Sequence, residues 1–256
     1  MVKQFFPVFI LCSLFLSSCG TSGSSETIPA IDQEAGKSYF FLEEGKFREY
    51  EVYEIRYHAV GLSDTLAYQL REEVKESFTN NGVRSNVIHR FSRIDENQEW
   101  SLDSVWSARV ERDRAISMEN NIPILKMTFP SLQERTWDGN LFNTRQEDEF
   151  KVITFDPTQN DENQTSFRVP VAGSAASFTE VLVIEHESFE DFVDKDVRME
   201  VYKDSVGLVY KEYETLKYCT TNSVCDYDPT MPGEFVVSGR YYREILLTHG
   251  FIDNEN

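Results

Sequence analysis

"TLAYQLREEVKESF", residues 65–78, decides the fold. Leu66, Tyr68, Leu70, Val74 and Phe78 share one parity. Thr65, Gln69, Arg71, Glu73 and Lys75 share the other. Side chains alternate with period two along a strand, whereas a helix would repeat every 3.6 residues. The stretch therefore reads as a long strand, apolar on one side and wet on the other. "EWSLDSVWSARVER", 99–112, repeats the pattern: Trp100, Leu102, Trp106, Ala108 and Val110 oppose Asp103, Arg109 and Glu111.

Working outward, "FREYEVYEIRYHA", 47–59, changes phase. Tyr50 and Val52 are even; Tyr53, Ile55 and Tyr57 are odd. An extra residue near Val52 would realign them, which predicts a β-bulge there. Turn signals separate the runs: "GLSD" at 61–64, "NNG" at 80–82, "DENQ" at 95–98, "DG" at 138–139 and "KDSVG" at 203–207. Later strands are expected at 121–129, 149–155, 166–172, 178–186, 197–203, 207–219 and 234–247. "SFEDFVDK", 188–195, reads as a short helix capped by Ser188. The fold class is all-β: a single curved antiparallel meander of about ten to twelve strands, half-barrel or barrel-like. Two stacked β sub-domains split near 156–165 are the alternative.

Before this domain lies an apolar run, Phe5–Leu16, broken by Pro7 and Ser13 and preceded by Lys3. It is shorter than the ~20 residues that cross a bilayer. Its length suits a secretory signal. Leu16-Ser17-Ser18-Cys19 resembles the bacterial lipobox. The resemblance implies cleavage before Cys19 and acylation of that residue, with several chains giving a stable anchor. The chain then divides into a signal peptide at 1–18, a lipidated Gly/Ser/Thr-rich tether at 19–36, a β domain at 37–250 and a polar tail at 251–256. Gly20 stands where enterobacterial rules would need an aspartate for inner-membrane retention, which implies the outer membrane. The first acid after Cys19 is Glu26, which favours the periplasmic face over the cell surface.

Forty-four Asp and Glu oppose 25 Lys and Arg, a net charge of −19, one unit more negative once Lys3 is removed. Such a charge repels nucleic acid. Cys12 leaves with the signal and Cys19 carries lipid. That leaves Cys219 and Cys225, a pair expected to form a disulfide in an oxidising compartment, with free thiols or a metal site as the alternative.

Little in the chain points to a reaction. His58, His89, His186 and His249 offer no zinc-type spacing, and His186 between Glu185 and Glu187 reads as a surface residue. Gly-x-Ser-x-Gly elbows, phosphate loops and dinucleotide fingerprints are missing, and no cofactor is expected. Leu66, Leu70, Trp100, Leu102 and Trp106 are expected to face one interior. That interior is either a packed core or an apolar cavity for an acyl chain.

"YFFLEEGKFREYEV" (39–52), "WDGNLFNT" (137–144) and "EVYKDSVGLVYKEYE" (200–214) resemble segments of uncharacterised Bacteroidota outer-membrane lipoproteins. The resemblance implies an envelope lipoprotein and no reaction. "DTL" at 64–66 and "DSV" at 103–105 and 204–206 match the loose O-glycosylation signal of exported Bacteroidota proteins, with Thr65, Ser104 and Ser205 as acceptors. The expected function is that of a non-enzymatic, lipid-anchored envelope protein binding a partner or an apolar ligand. A structural or assembly lipoprotein without a small ligand is the alternative, and an enzyme acting on envelope polymers ranks below both.

Overall fold

The computed structural model describes residues 32–59, 62–154, 167–171, 174–220 and 235–252. Twelve antiparallel strands form one sheet, and among the described residues there is no α-helix. In sheet order the strands are β6 (Ile122–Thr128), β5 (Arg114–Glu119), β4 (Ser101–Val110), β3 (Val83–Arg93), β2 (Leu62–Asn80), β1 (Lys46–Ala59), β14 (Val236–Phe251), β13 (Gly207–Tyr218), β12 (Asp194–Lys203), β11 (Val181–Glu190), β8 (Glu149–Thr154) and β7 (Thr136–Asp138). β9 (Phe167–Val171) and β10 (Ser174–Phe178) form a separate hairpin.

The sheet curls until its edges meet. Leu125 N–H of β6 donates to Gly139 O beyond β7 at 2.9 Å, and the Trp137 indole returns a 2.9 Å bond to Leu125 O. Tyr39, Ile116, Leu125, Met127, Phe129, Trp137, Phe150, Val152, Leu182, Ile184 and Tyr202 pack over this seam into one buried cluster. Near-closure removes the open edges that a flat sheet of this width would expose. The alternative of two sub-domains fails, because β8 and β11, on either side of 156–165, are neighbours in the same sheet.

Turn chemistry sets several corners. Asn81 (φ 51°) and Gly82 (φ 80°) make the two-residue turn between Asn80 and Val83, as positive φ at both positions of a type I′ hairpin requires. Asn120 and Asn121 (φ 51° and 65°) do the same between β5 and β6. The expected helix at 188–195 is not formed. β11 continues through Glu190, and Asp191 Oδ1 accepts the Val193 and Asp194 N–H groups at 2.7 Å each. A side-chain turn at Asp191 thus replaces the cap read at Ser188.

The bulge predicted near Val52 is also misplaced. Even residues of β1 face inward without interruption from Lys46 to Glu54. Glu49 pairs with Thr248 but Tyr50 with Leu246, so the extra residue is Leu247 of β14. Tyr53, Ile55 and Tyr57 lie on the outer face, where Tyr53 meets Tyr241 edge-on at 6.2 Å.

One end of the barrel is covered by residues 35–45. Ala35 O accepts from Ser131 N, Ser38 O from Ser205 N, and Leu42 O from the Asn86 side chain, while Gly45 N donates to Val74 O. These partners lie on four separate elements around that end. The opposite end, reached by the β1–β2, β3–β4 and β5–β6 connections, holds an open cavity of about 650 Å³.

Candidate functional site: a charged barrel lumen

The inner face of the barrel departs from the apolar interior expected of it. On β2, Glu72 has the same parity as Leu70 and Val74 and is buried with them. Across the ladders it meets Arg48 of β1 and Arg90 of β3. Arg48 Nη2 donates to Glu72 Oε2 at 3.3 Å and Arg90 Nε to Glu72 Oε1 at 3.0 Å. A second group lies across the lumen. Lys126 Nζ reaches Glu200 Oε1 at 2.6 Å and Glu119 Oε1 at 3.5 Å, and Lys211 Nζ lies 3.4 Å from Glu200 Oε1. Glu244 stands between the groups, opposite Val52 on one side and Lys211 on the other. Arg48, Arg90, Lys126 and Lys211 thus balance Glu72, Glu119, Glu200 and Glu244. Buried charges persist when paired and hydrogen-bonded in this way.

Tyrosines complete the network. Tyr202 and Tyr213 donate to Glu200 at 2.5 and 2.6 Å, and Tyr242 donates to Glu244 at 2.8 Å. Burial alone would raise the Glu200 pKa, but Lys126 and Lys211 outweigh it and hold this carboxyl well below its ordinary value. Glu244 goes the other way: burial, reinforced by the charge of Glu72, raises its pKa. Burial, then the Glu200 charge, pushes the Tyr202 and Tyr213 hydroxyls well up. His186 is not the surface residue expected. It is 2% exposed, stacked on Phe150 at 3.6 Å, and burial holds it well below its ordinary pKa, hence neutral.

The lumen has a narrow inner part and a wide mouth. The inner part, about 60 Å³, lies against Phe40, Phe41 and Leu42 of the covering segment and is otherwise walled by the charged belt together with Ile88, Trp106, Ala108 and Leu208. Gly207 (φ +97°) makes room there. A Cβ on it would stand 2.3 Å from Arg48 Nη1, which donates to Val206 O and Phe41 O. The mouth is lined by Tyr68, Tyr213, Tyr242 and Trp106, by Leu66 and Leu70, and by Arg56, Arg90, Arg93, Lys211 and Arg240. Arg90 stacks on Trp106 at 3.8 Å. The buried indole N–H of Trp106 and Oε1 of Glu244 have no protein partner among the described residues.

The sequence candidates separate. Leu70 is buried, Leu66 lies at the rim of the mouth and is partly exposed for that reason, and Trp106 lines both parts of the lumen. Leu102 is 54% exposed and faces outward. Ser104 pairs with Arg90 but Leu102 with Phe91, so Asp103 is an inserted residue that reverses the parity. A similar insertion between Val74 and Ser77 turns Phe78 outward. Trp100 stands half-buried beneath Arg93 at 4.2 Å and lines neither cavity. Thr65 and Ser205 are exposed, whereas Ser104 is half-buried on the lumen side. Cys219 is buried just past β13. Cys19 and Cys225, and with them the lipidation and the pairing, lie outside the described residues.

The inward acids and bases escape any assignment of faces that rests on apolar residues alone. The signal was present: Arg48, Glu54, Glu72, Arg90 and Glu244 all fall at inward parity in strands whose apolar phase is otherwise clear.

No family model matches the chain, and no curated protein matches it. Among solved structures it aligns with an exported protein of YmcC-like fold from Bacteroides fragilis: 12% identity, 82% of this chain, 98% of that chain, TM-score 0.38. It also aligns with a lipoprotein from Parabacteroides distasonis: 11% identity, 83% of this chain, 98% of that chain, TM-score 0.35. These alignments assign neither a family nor an activity to the chain.

Proposed function

We propose that this chain is a lipid-anchored envelope protein that holds a polar, ring-bearing ligand in the open end of its barrel without transforming it. The observation that carries the reading is the mouth of about 650 Å³, walled by tyrosine hydroxyls, an indole and fixed charges. An acyl chain would gain no apolar contact from Arg56, Arg90 or Lys211. It would also displace water from the half-exposed Arg56 and Arg240 without replacing the hydrogen bonds that water makes to them. A hydroxylated ring can instead stack on the aromatics and hydrogen-bond to the phenols. The anchor in this reading is the acylated Cys19, held in the outer membrane with the domain facing the periplasm.

Native mass spectrometry of protein released gently from envelopes tests this. A hydrophilic adduct, recovered chemically unchanged after incubation, is expected. A fatty-acid adduct would overturn the polar reading, and a hydrophilic adduct consumed during incubation would overturn the non-enzymatic one.

One observation favours a second reading, docking of a protein partner as in an assembly lipoprotein. Phe189, Phe192 and Val193 are all exposed around the β11–β12 turn, Phe192 at 67%. Charged substitutions at Phe192 that displace a cross-linked partner while sparing the adduct would support it.

A further inference from the structure

Arg56 of β1 and Arg240 of β14 are directly opposed in the ladder. Like charges at opposed positions repel, so the pair needs a reason to stand there. Locally it is held by one carboxylate. Glu54, 1% exposed, accepts Arg56 Nε at 2.5 Å and Arg240 Nε at 2.7 Å on the same Oε1, and Arg56 Nη2 at 3.1 Å on Oε2. Burial would raise the Glu54 pKa, but the hydrogen bonds from the two arginines outweigh it and leave the carboxyl ionised below its ordinary range. The trio therefore carries one net positive charge.

Both guanidinium groups are about half exposed and line the mouth. Glu54 takes only the Nε edge of Arg240. Both terminal nitrogens of Arg240, and Nη1 of Arg56, have no hydrogen-bond acceptor among the described residues. Arg240 is further fixed over the Tyr242 ring at 4.5 Å. The surroundings point the same way. Of the other cations lining the mouth, Arg90 and Lys211 are paired with Glu72 and Glu200, whereas Arg93 donates its Nε to the neutral Gln69 amide, so Arg93 adds a further positive charge to that of the trio.

We propose that Arg56, Glu54 and Arg240 form an oxyanion clamp that takes the carboxylate or phosphate of an acidic, hydroxylated ring ligand seated in the mouth. This deepens the reading of the lumen as a ligand site and rests on it. The guanidinium fork matches both oxyanions geometrically. Glu54 supplies the orientation, because it fixes the Nε side of each arginine and turns the free nitrogens away from itself.

The test is calorimetric titration of the intact domain at low salt with three probes: trigalacturonate, glucose 6-phosphate and neutral maltotriose. One of the two acidic probes is expected to bind at least about tenfold more tightly than maltotriose, the scale of one charge-assisted hydrogen bond. Which one binds identifies the oxyanion. Arg240→Gln and Arg56→Gln should each weaken that probe by about tenfold or more, and by more than they weaken maltotriose, with Arg240→Lys intermediate. Unchanged melting temperatures exclude a folding effect. If acidic and neutral probes bind alike, or the variants bind the acidic probe as the wild type does, the clamp is wrong and the lumen reading stands. If none of the probes binds the wild type, both fall.

Discussion

Lys126 Nζ and Glu200 Oε1 lie 2.6 Å apart although β6 and β12 share no ladder. The pair joins opposite walls of the barrel, and Tyr202, Tyr213 and Lys211 gather on the same carboxylate. Removing one partner leaves the other charged and buried. Lys126→Met should therefore cost about 3–5 kcal/mol in chemical denaturation. Adding Glu200→Leu should recover part of that loss, so the two changes are non-additive. Additive losses would show that the pair contributes nothing across the lumen.

The two classes of buried glutamate predict opposite pH behaviour. The pKa of Glu200 is depressed, so its contribution is present above its ordinary value of 4.5 and is lost as pH falls through the lower folded value. The pKa of Glu244 is raised from 4.5. As pH rises through that window the unfolded chain releases its proton while the folded chain retains it, so stability falls. Glu244→Gln, which still accepts the Tyr242 hydroxyl, should stabilise the protein at neutral pH. The gain should vanish below about pH 4.5. Urea midpoints measured from acid to neutral pH check both signs. A Gln variant less stable than wild type at pH 7 would contradict the assignment.

Gly207→Ala should destabilise by more than about 1 kcal/mol, because the residue adopts φ +97° and its new Cβ would collide with the Arg48 guanidinium. Part of the penalty should disappear in an Arg48→Met background, where the collision is gone. An equal penalty in both backgrounds would assign the whole effect to the backbone.

The chemistry of the cysteines is open to direct measurement. Cys19→Ser should abolish palmitate labelling and membrane pelleting. Mass mapping without reduction should find Cys219 linked to Cys225, a small ring worth about 2 kcal/mol by loop entropy. Two alkylatable thiols in denatured, unreduced protein would exclude the link.

The strands were legible because period-two patterning survives in every long one. The faces were less so. Leu102 and Phe78 follow the parity of their neighbours in the sequence, yet inserted residues at Asp103 and between Val74 and Ser77 turn both outward. A bulge leaves no mark of its own in composition. Glu72 illustrates the second difficulty. An acid at inward parity looks like an exception until Arg48 and Arg90 arrive on neighbouring strands, and that meeting depends on register. The Arg56–Arg240 apposition, and the bond from Arg240 to Glu54 across 186 residues of sequence, are relations that no local reading supplies.

The pairing of β1 with β14 has a consequence for biogenesis. β1 occupies the middle of the sheet only when residues 236–251 are available to flank it. Until they emerge, a growing polypeptide exposes one unpaired side of its first strand, and the barrel has no route to completion. Contacts of such long separation keep the barrel from closing until the last strand has been made. A truncation before residue 236 should accordingly be degraded rather than accumulate as a folded domain.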